Sequence, residues 1–213
     1  MGWIAGNRVL SISEQRNNAK IIYNTLKSKG WSDNAICAIL GNMQSESWVN
    51  PAVWESFRVE WRGFGLVQWT PYTKYSEWAG NDWQTNYDKQ LDRIEYECQN
   101  GEQWFRNPEA PIIEPPITFK EFKTSTLDVV TLANYFLWYY EHPEVTIQSI
   151  RGKQAVTWYE YLIGDTPVTP DPDPDPEPDE PDEPSTPIEP PVPPSVTYKR
   201  KRLPIYMYPN RYL

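Results

Sequence analysis

The 213-residue chain holds a single histidine, His142, and only two cysteines, Cys37 and Cys98. No His-Glu-x-x-His spacing occurs, so a zinc site has no ligand set to build on. Ser–His hydrolase chemistry would have to use that one histidine, and no Gly-x-Ser-x-Gly turn exists to carry a nucleophile. His142 precedes Pro143 and is assigned a structural or surface role. Glycine is scarce, at ten residues, and the glycine-rich patterns that cradle phosphate are missing. No metal and no cofactor is therefore expected. Each cysteine lies in a stretch of helical pattern, where buried free thiols are the commoner state, and no pairing follows from sequence. No apolar stretch approaches the roughly 20 residues that span a membrane. Met1–Ser13 lacks a basic start followed by an apolar run, so no secretory signal is expected and delivery would fall to something else.

Positive charge is missing altogether from one stretch. Residues 165–196 contain no Lys or Arg, yet hold 13 of the 22 prolines and 10 of the 29 acidic residues. The net charge of −9 divides into −4 for residues 1–164, −10 for 165–196 and +5 for 197–213. With no broad basic face in the first segment, nucleic acid is not an expected partner. Pro-Asp-Pro-Asp-Pro-Asp-Pro-Glu-Pro, starting at Pro170, fixes φ, removes N–H donors and repels itself along the chain. Thirty such residues in polyproline II reach about 90 Å at roughly 3.1 Å each. Three parts follow: a globular domain over 1–164, an acidic proline-rich linker over 165–196, and a basic, aromatic tail over 197–213. A domain of that size can bury a full core without staples.

What is abundant in the first part is helical period. Ser13 is placed to cap a helix running to about Lys29, with Ala19, Ile22, Tyr23 and Leu26 on one face and Gly30 stopping it. Ser32 caps a second, carrying Ile36, Ile39, Leu40 and Met43. Residues 49–71 lose the period and are assigned to loops with a small β-hairpin around Gly63-Phe64-Gly65. Further helices hold Tyr87, Leu91, Ile94 and Cys98, then Val129 to Tyr140, then Ala155, Trp158 and Leu162. A proline-punctuated loop follows Gly101. The fold class is mainly α with one small β-hairpin.

At about 100° per residue, Glu46 falls at the edge of the second helix's apolar stripe and at its C-terminal end. Burial penalises a carboxylate there, and the negative end of the helix dipole penalises it again. A carboxyl that keeps a proton is what protonating a glycosidic oxygen requires. Lysozyme is the standard illustration of that logic.

The surrounding residues are more specific. Gly41-Asn42-Met43-Gln44-Ser45-Glu46-Ser47, then Asn50-Pro51, then Gly63-Phe64-Gly65-Leu66-Val67-Gln68-Trp69-Thr70 form an ordered series. Lys74-Tyr75, Trp78-Ala79 and Tyr139-Tyr140-Glu141-His142-Pro143 continue it. In this order and spacing they resemble the phage tail lysozyme family, over about residues 10–164. The wider relatives include goose-type lysozymes and lytic transglycosylases, which pair a Glu-Ser motif with a downstream Gly-Leu-x-Gln. The resemblance implies a lysozyme-like α fold with a cleft. It also implies cleavage of the β-1,4 bond after N-acetylmuramic acid in peptidoglycan, with Glu46 as the acid.

Chemistry suggests roles for the neighbours. Gly63 and Gly65 allow a backbone close to a sugar, or simply make a turn. Gln68 offers both a donor and an acceptor to an N-acetyl group or hydroxyl. Six tryptophans crowd residues 48–83, and indoles stack on sugars as well as filling cores. Most are assigned to the core and Trp69 to the groove, with Tyr75 and Tyr139 as further groove candidates. A second carboxylate would come from Glu55, Glu60 or Asp82, of which Glu60 is nearest the glycine hairpin. A transglycosylase would need none, because the substrate's own hydroxyl attacks.

The implied protein is a peptidoglycan hydrolase of the phage virion, acting in the tail on the host wall during DNA entry. A lytic transglycosylase on the same bond, or a non-catalytic glycan-binding tail protein that kept the fold, are the alternatives. The tail at 197–213 alternates apolar and aromatic residues after four basic ones. It suits strand addition to a partner tail protein, attraction to anionic wall polymers, or no role at all.

Overall fold

The helix that carries Glu46 is the centre of the domain. It runs Asp33–Ser47 (α2) and is buried on almost every side from Ala35 to Met43. A helix apolar on all faces belongs inside a core rather than on its surface. Around it pack Ile12–Ser28 (α1), Phe119–Thr124 (α5), Val129–Phe136 (α6) and Ser149–Leu162 (α7). In the computed structural model the described residues are 2–57, 59–143 and 145–164, without the side chains of 59–61. The linker and tail expected over 165–213 lie outside them, as does the Glu60 side chain.

Among the described residues the remaining elements are a two-stranded antiparallel hairpin, Trp54–Ser56 (β1) and Val59–Phe64 (β2), and two helices, Thr73–Ala79 (α3) and Asp88–Asn100 (α4). The protein is mainly helical with one small hairpin, as the periodicity indicates. The starts differ in detail. Ser11, not Ser13, caps α1: its hydroxyl accepts from the Glu14 N–H while Glu14 Oε2 accepts from the Ser11 N–H at 2.8 Å. That reciprocal box satisfies two orphan donors at once, which Ser13 would not. The hairpin reverses between Ser56 and Val59, ahead of Gly63. Gly65, at φ +82°, instead starts a second tight turn that returns Trp69 to pair with Phe64. Helices α3 and α5 are too short for a periodic signal. Thr118 and Glu121 do form a capping box that marks the start of α5.

Two aromatic clusters flank α2. Trp54, Phe64, Tyr75 and Trp83 interlock beneath the hairpin, while Trp104, Phe119, Phe122 and Phe136 pack between α5 and α6. The carboxylate of Glu97, fully buried, joins the two sides. It accepts from Trp69 Nε1 at 3.1 Å, Tyr140 Oη at 2.5 Å and Arg93 Nε at 2.9 Å. Burial pushes its pKa up, against these three donors. Cys37 and Cys98 are free and buried, and burial pushes both thiols up to about 12.

Candidate active site

Helix α2 ends abruptly after Ser47. Trp48 (φ +55°) and Val49 (φ +54°) both adopt the left-handed region, and Trp48 N–H closes on the Gln44 carbonyl. A β-branched residue rarely holds such a conformation unless its surroundings impose it. Here Asn18 Nδ2 fixes the Val49 carbonyl at 2.9 Å, and the Asn50 side chain ties the same corner to Gly6 and Arg8. The chain therefore turns sharply away and leaves the Glu46 carboxyl uncovered at the helix end.

Each residue of the 41–47 motif has a physical task. A Cβ on Gly41 would stand 2.5 Å from the Arg151 carbonyl, so only glycine lets α7 come this close. Asn42 donates to the Ala133 carbonyl of α6 at 3.0 Å, and its own oxygens face Arg151 Nη1 at 3.3 and 3.4 Å. Ser45 Oγ meets Gln154 Oε1 at 2.6 Å. Ser47 Oγ donates to the Leu66 carbonyl at 2.8 Å, which pins the 65–69 turn under the helix end. Gly41→Ala should cost about 2 kcal/mol by overpacking, measurable as a lowered urea midpoint; an unchanged midpoint would mean that α2 and α7 can separate freely.

Glu46 itself pairs with Arg151 of α7, Nη2 to Oε1 at 2.5 Å. Its side chain keeps 23% of its exposure and that of Arg151 only 7%, so the pair opens to water on the glutamate side. Arg151 Nε is held by Gln148 Oε1 at 3.0 Å. The apolar edge expected for Glu46 is thus an ion pair: α7 supplies a cation that no local pattern announces.

A second carboxyl enters from Glu141, at the end of a π-helical turn, Leu137–Glu141, that extends α6. Such turns widen a helix by one residue and re-aim the side chains after it. Its Oε1 atom is shielded from solvent. The pKa of Glu141 lies well above the ordinary carboxylate range, first through burial and next through the charge of Glu46, with Arg151 opposing both. Glu141 thus feels both charges of the pair.

Two of the three carboxylates weighed from sequence are engaged in other bonds. Glu55 is exposed and takes the Gly63 N–H at 3.2 Å, with Arg62 nearby, which is hairpin bonding. Asp82 pairs with Lys89 and Asn86. The Glu60 side chain is outside the described residues. Glu141 was available as the one acidic residue closing the apolar run from Val129. The π turn that aims it has no sequence signature.

The expected sugar contacts are placed inside the domain. Trp69 is 3% exposed, bonded to Glu97 and stacked on Tyr75 at 4.8 Å, so its ring is core rather than groove wall. Tyr75 is fully buried, as is Tyr139, whose hydroxyl donates to the Ile112 carbonyl. Gln68 donates to the Val53 and Gly65 carbonyls, and Gly65 packs on the Gln90 amide. These residues hold the loop that supports the helix end. Just past the helix end, the partly exposed Trp48 stacks on Phe57 with centroids 5.8 Å apart, Phe57 being half exposed. His142 stacks on Phe105 and bonds the Tyr139 carbonyl, a structural arrangement.

A buried central helix ends in a partly exposed glutamate, with a small hairpin and further helices packed around it, the arrangement expected of a lysozyme-like domain. The chain belongs to the phage tail lysozyme family, whose model matches residues 17–162. It is similar to Morphogenesis protein 1 of Bacillus phage B103, 44% identical over 164 residues, covering 74% of this chain and 42% of that protein. The chain thus spans about two fifths of that relative's length.

Proposed function

We propose that the domain is a muramidase, cleaving the β-1,4 bond between N-acetylmuramic acid and N-acetylglucosamine, with Glu46 as the acid. The observation that carries this reading is the charge group at the end of α2: a glutamate facing solvent, one buried arginine, and a second carboxyl behind them. Glu46 keeps part of its side chain open to water, which places it to meet a glycosidic oxygen, whereas Oε1 of Glu141 is shielded. A sugar entering over Trp48 would compete with Arg151 for the Glu46 carboxyl.

The family supports a setting in the phage virion, where the enzyme would open the host wall locally for DNA entry. The residues after the domain would tether it to a tail protein. The test is the chemistry of the cut ends. Mass spectrometry of digested walls should show reducing N-acetylmuramic acid ends, 2H and one O heavier than the cyclised product. Ends in the 1,6-anhydro form would make the enzyme a lytic transglycosylase, and no new ends would leave a glycan-binding protein.

A further inference from the structure

A cavity of about 500 Å³ lies between α6, the segment 146–148 and α7. Glu46 is not among its lining residues, yet the cavity and the candidate site share a wall. Gln148 lines the cavity and holds Arg151 Nε, while the far end of the same guanidinium holds Glu46. The cavity therefore begins one arginine's width from the carboxyl.

Its lining differs from a sugar platform. Val130, Ile147 and Val156 give it aliphatic walls, and Ile147 is 78% exposed at the rim. The indole N–H of Trp138 is already committed to the Thr146 carbonyl at 2.7 Å. Asn134 contributes an amide that makes no side-chain hydrogen bond among the described residues, and Lys153 an ammonium with no ion-pair partner among them. Aliphatic walls suit methyl groups, a free amide suits a peptide bond, and an unpaired ammonium suits a carboxylate. A bare glycan offers a methyl and an amide only on its short N-acetyl arms, and a carboxylate only at the lactyl group. A short acidic peptide rich in alanine offers all of them, and such a stem branches from the lactyl group of N-acetylmuramic acid.

We infer that this cavity binds the peptide stem of the wall polymer while the glycan backbone passes Glu46. The inference rests on the muramidase reading and adds the part of the substrate that this reading leaves unplaced. Charge complementarity points to the stem, and continuity through Gln148 and Arg151 sets its position relative to the scissile bond.

Two substrates test it: stem-bearing glycan, and the same glycan stripped of stems by an amidase. Lys153→Glu changes an exposed side chain and Ile147→Asp the rim, so folding should survive, which circular dichroism would verify. Each variant should raise KM on stem-bearing glycan by about tenfold, the equivalent of roughly 1.4 kcal/mol. On stripped glycan KM and kcat should stay as in the wild type. Equal effects on both substrates, or none on either, would overturn the inference. A titration with free alanyl-isoglutamyl stem peptide, followed by the Trp138 indole resonance, gives a readout independent of activity. Should the wild type cut neither glycan, the muramidase reading falls and this titration alone decides: a Trp138 shift that Lys153→Glu removes supports the peptide site, and no shift overturns it.

Discussion

Glu46→Gln should lower the rate of wall solubilisation by a factor of about 10²–10⁴, the usual contribution of a general acid, with the fold intact. The amide keeps an oxygen where Arg151 Nη2 now finds Oε1 and has the same size, so the contact between α2 and α7 persists. What disappears is the proton that leaves with the aglycone oxygen. Turbidity loss of purified walls, run beside a zymogram and a thermal melt, reads both halves of the prediction. Retained lysis in a folded Glu46→Gln variant would refute the role of this residue. The glycan-binding alternative expects binding to walls to survive the same substitution, with no turbidity loss in the wild type either. Trp48 and Phe57 would carry such binding, since they are the aromatic surface beside the helix end.

The contribution of Glu141 to stability should fall as pH rises above the carboxylate range, and Glu141→Gln should remove that fall. Burial and the charge of Glu46 raise the pKa of Glu141 well above its ordinary value. The folded protein therefore keeps a proton that the unfolded chain releases above about pH 4.3. The stabilising preference is complete below that pH and is lost as pH climbs through the folded value. A glutamine cannot titrate. The variant should match the wild type near pH 4 and gain on it by about 1.4 kcal/mol for each unit separating the folded and unfolded values. Glu97, also raised by burial, leaves a residual slope in both proteins. The buried thiols do not contribute below about pH 8. The opposite change is expected from Arg151→Met, which strands two carboxyls without their cation and should cost about 3–5 kcal/mol near neutral pH. Melting curves from pH 4 to 8 measure all three proteins. A constant difference between Glu141→Gln and wild type across that range would place Glu141 in ordinary solvent.

The two experiments probe different parts of one charge group. In the proposed reaction Glu46 would touch the reacting bond, whereas Arg151 and Glu141 would set the charge it works against. Arg151 is itself held by Asn42 and Gln148, and Asn42 by α6. The candidate site is thus assembled from three helices, α2, α6 and α7, and the hairpin supplies support from below.

Much of this is legible in the chain before folding. The helical period of Ile36, Ile39, Leu40 and Met43 places Glu46 at a helix end, and local capping and glycine signals bound that helix. The order of Gly41–Ser47 and Gly63–Thr70 points to the family, and some of its residues answer local needs, such as the sharp turn at Gly65. Local rules decide such features, and local rules can be read in sequence. Partners more than ninety residues away cannot be. That Arg151 reaches Glu46, that a π turn aims Glu141 inward, and that Trp69 and Tyr75 stack over a buried Glu97 instead of lining a groove all depend on which helices meet. The sequence alone determined where the acid stands along its helix. Only tertiary packing decided which charges surround it, because Coulomb forces and desolvation act across space and take no account of order along the chain.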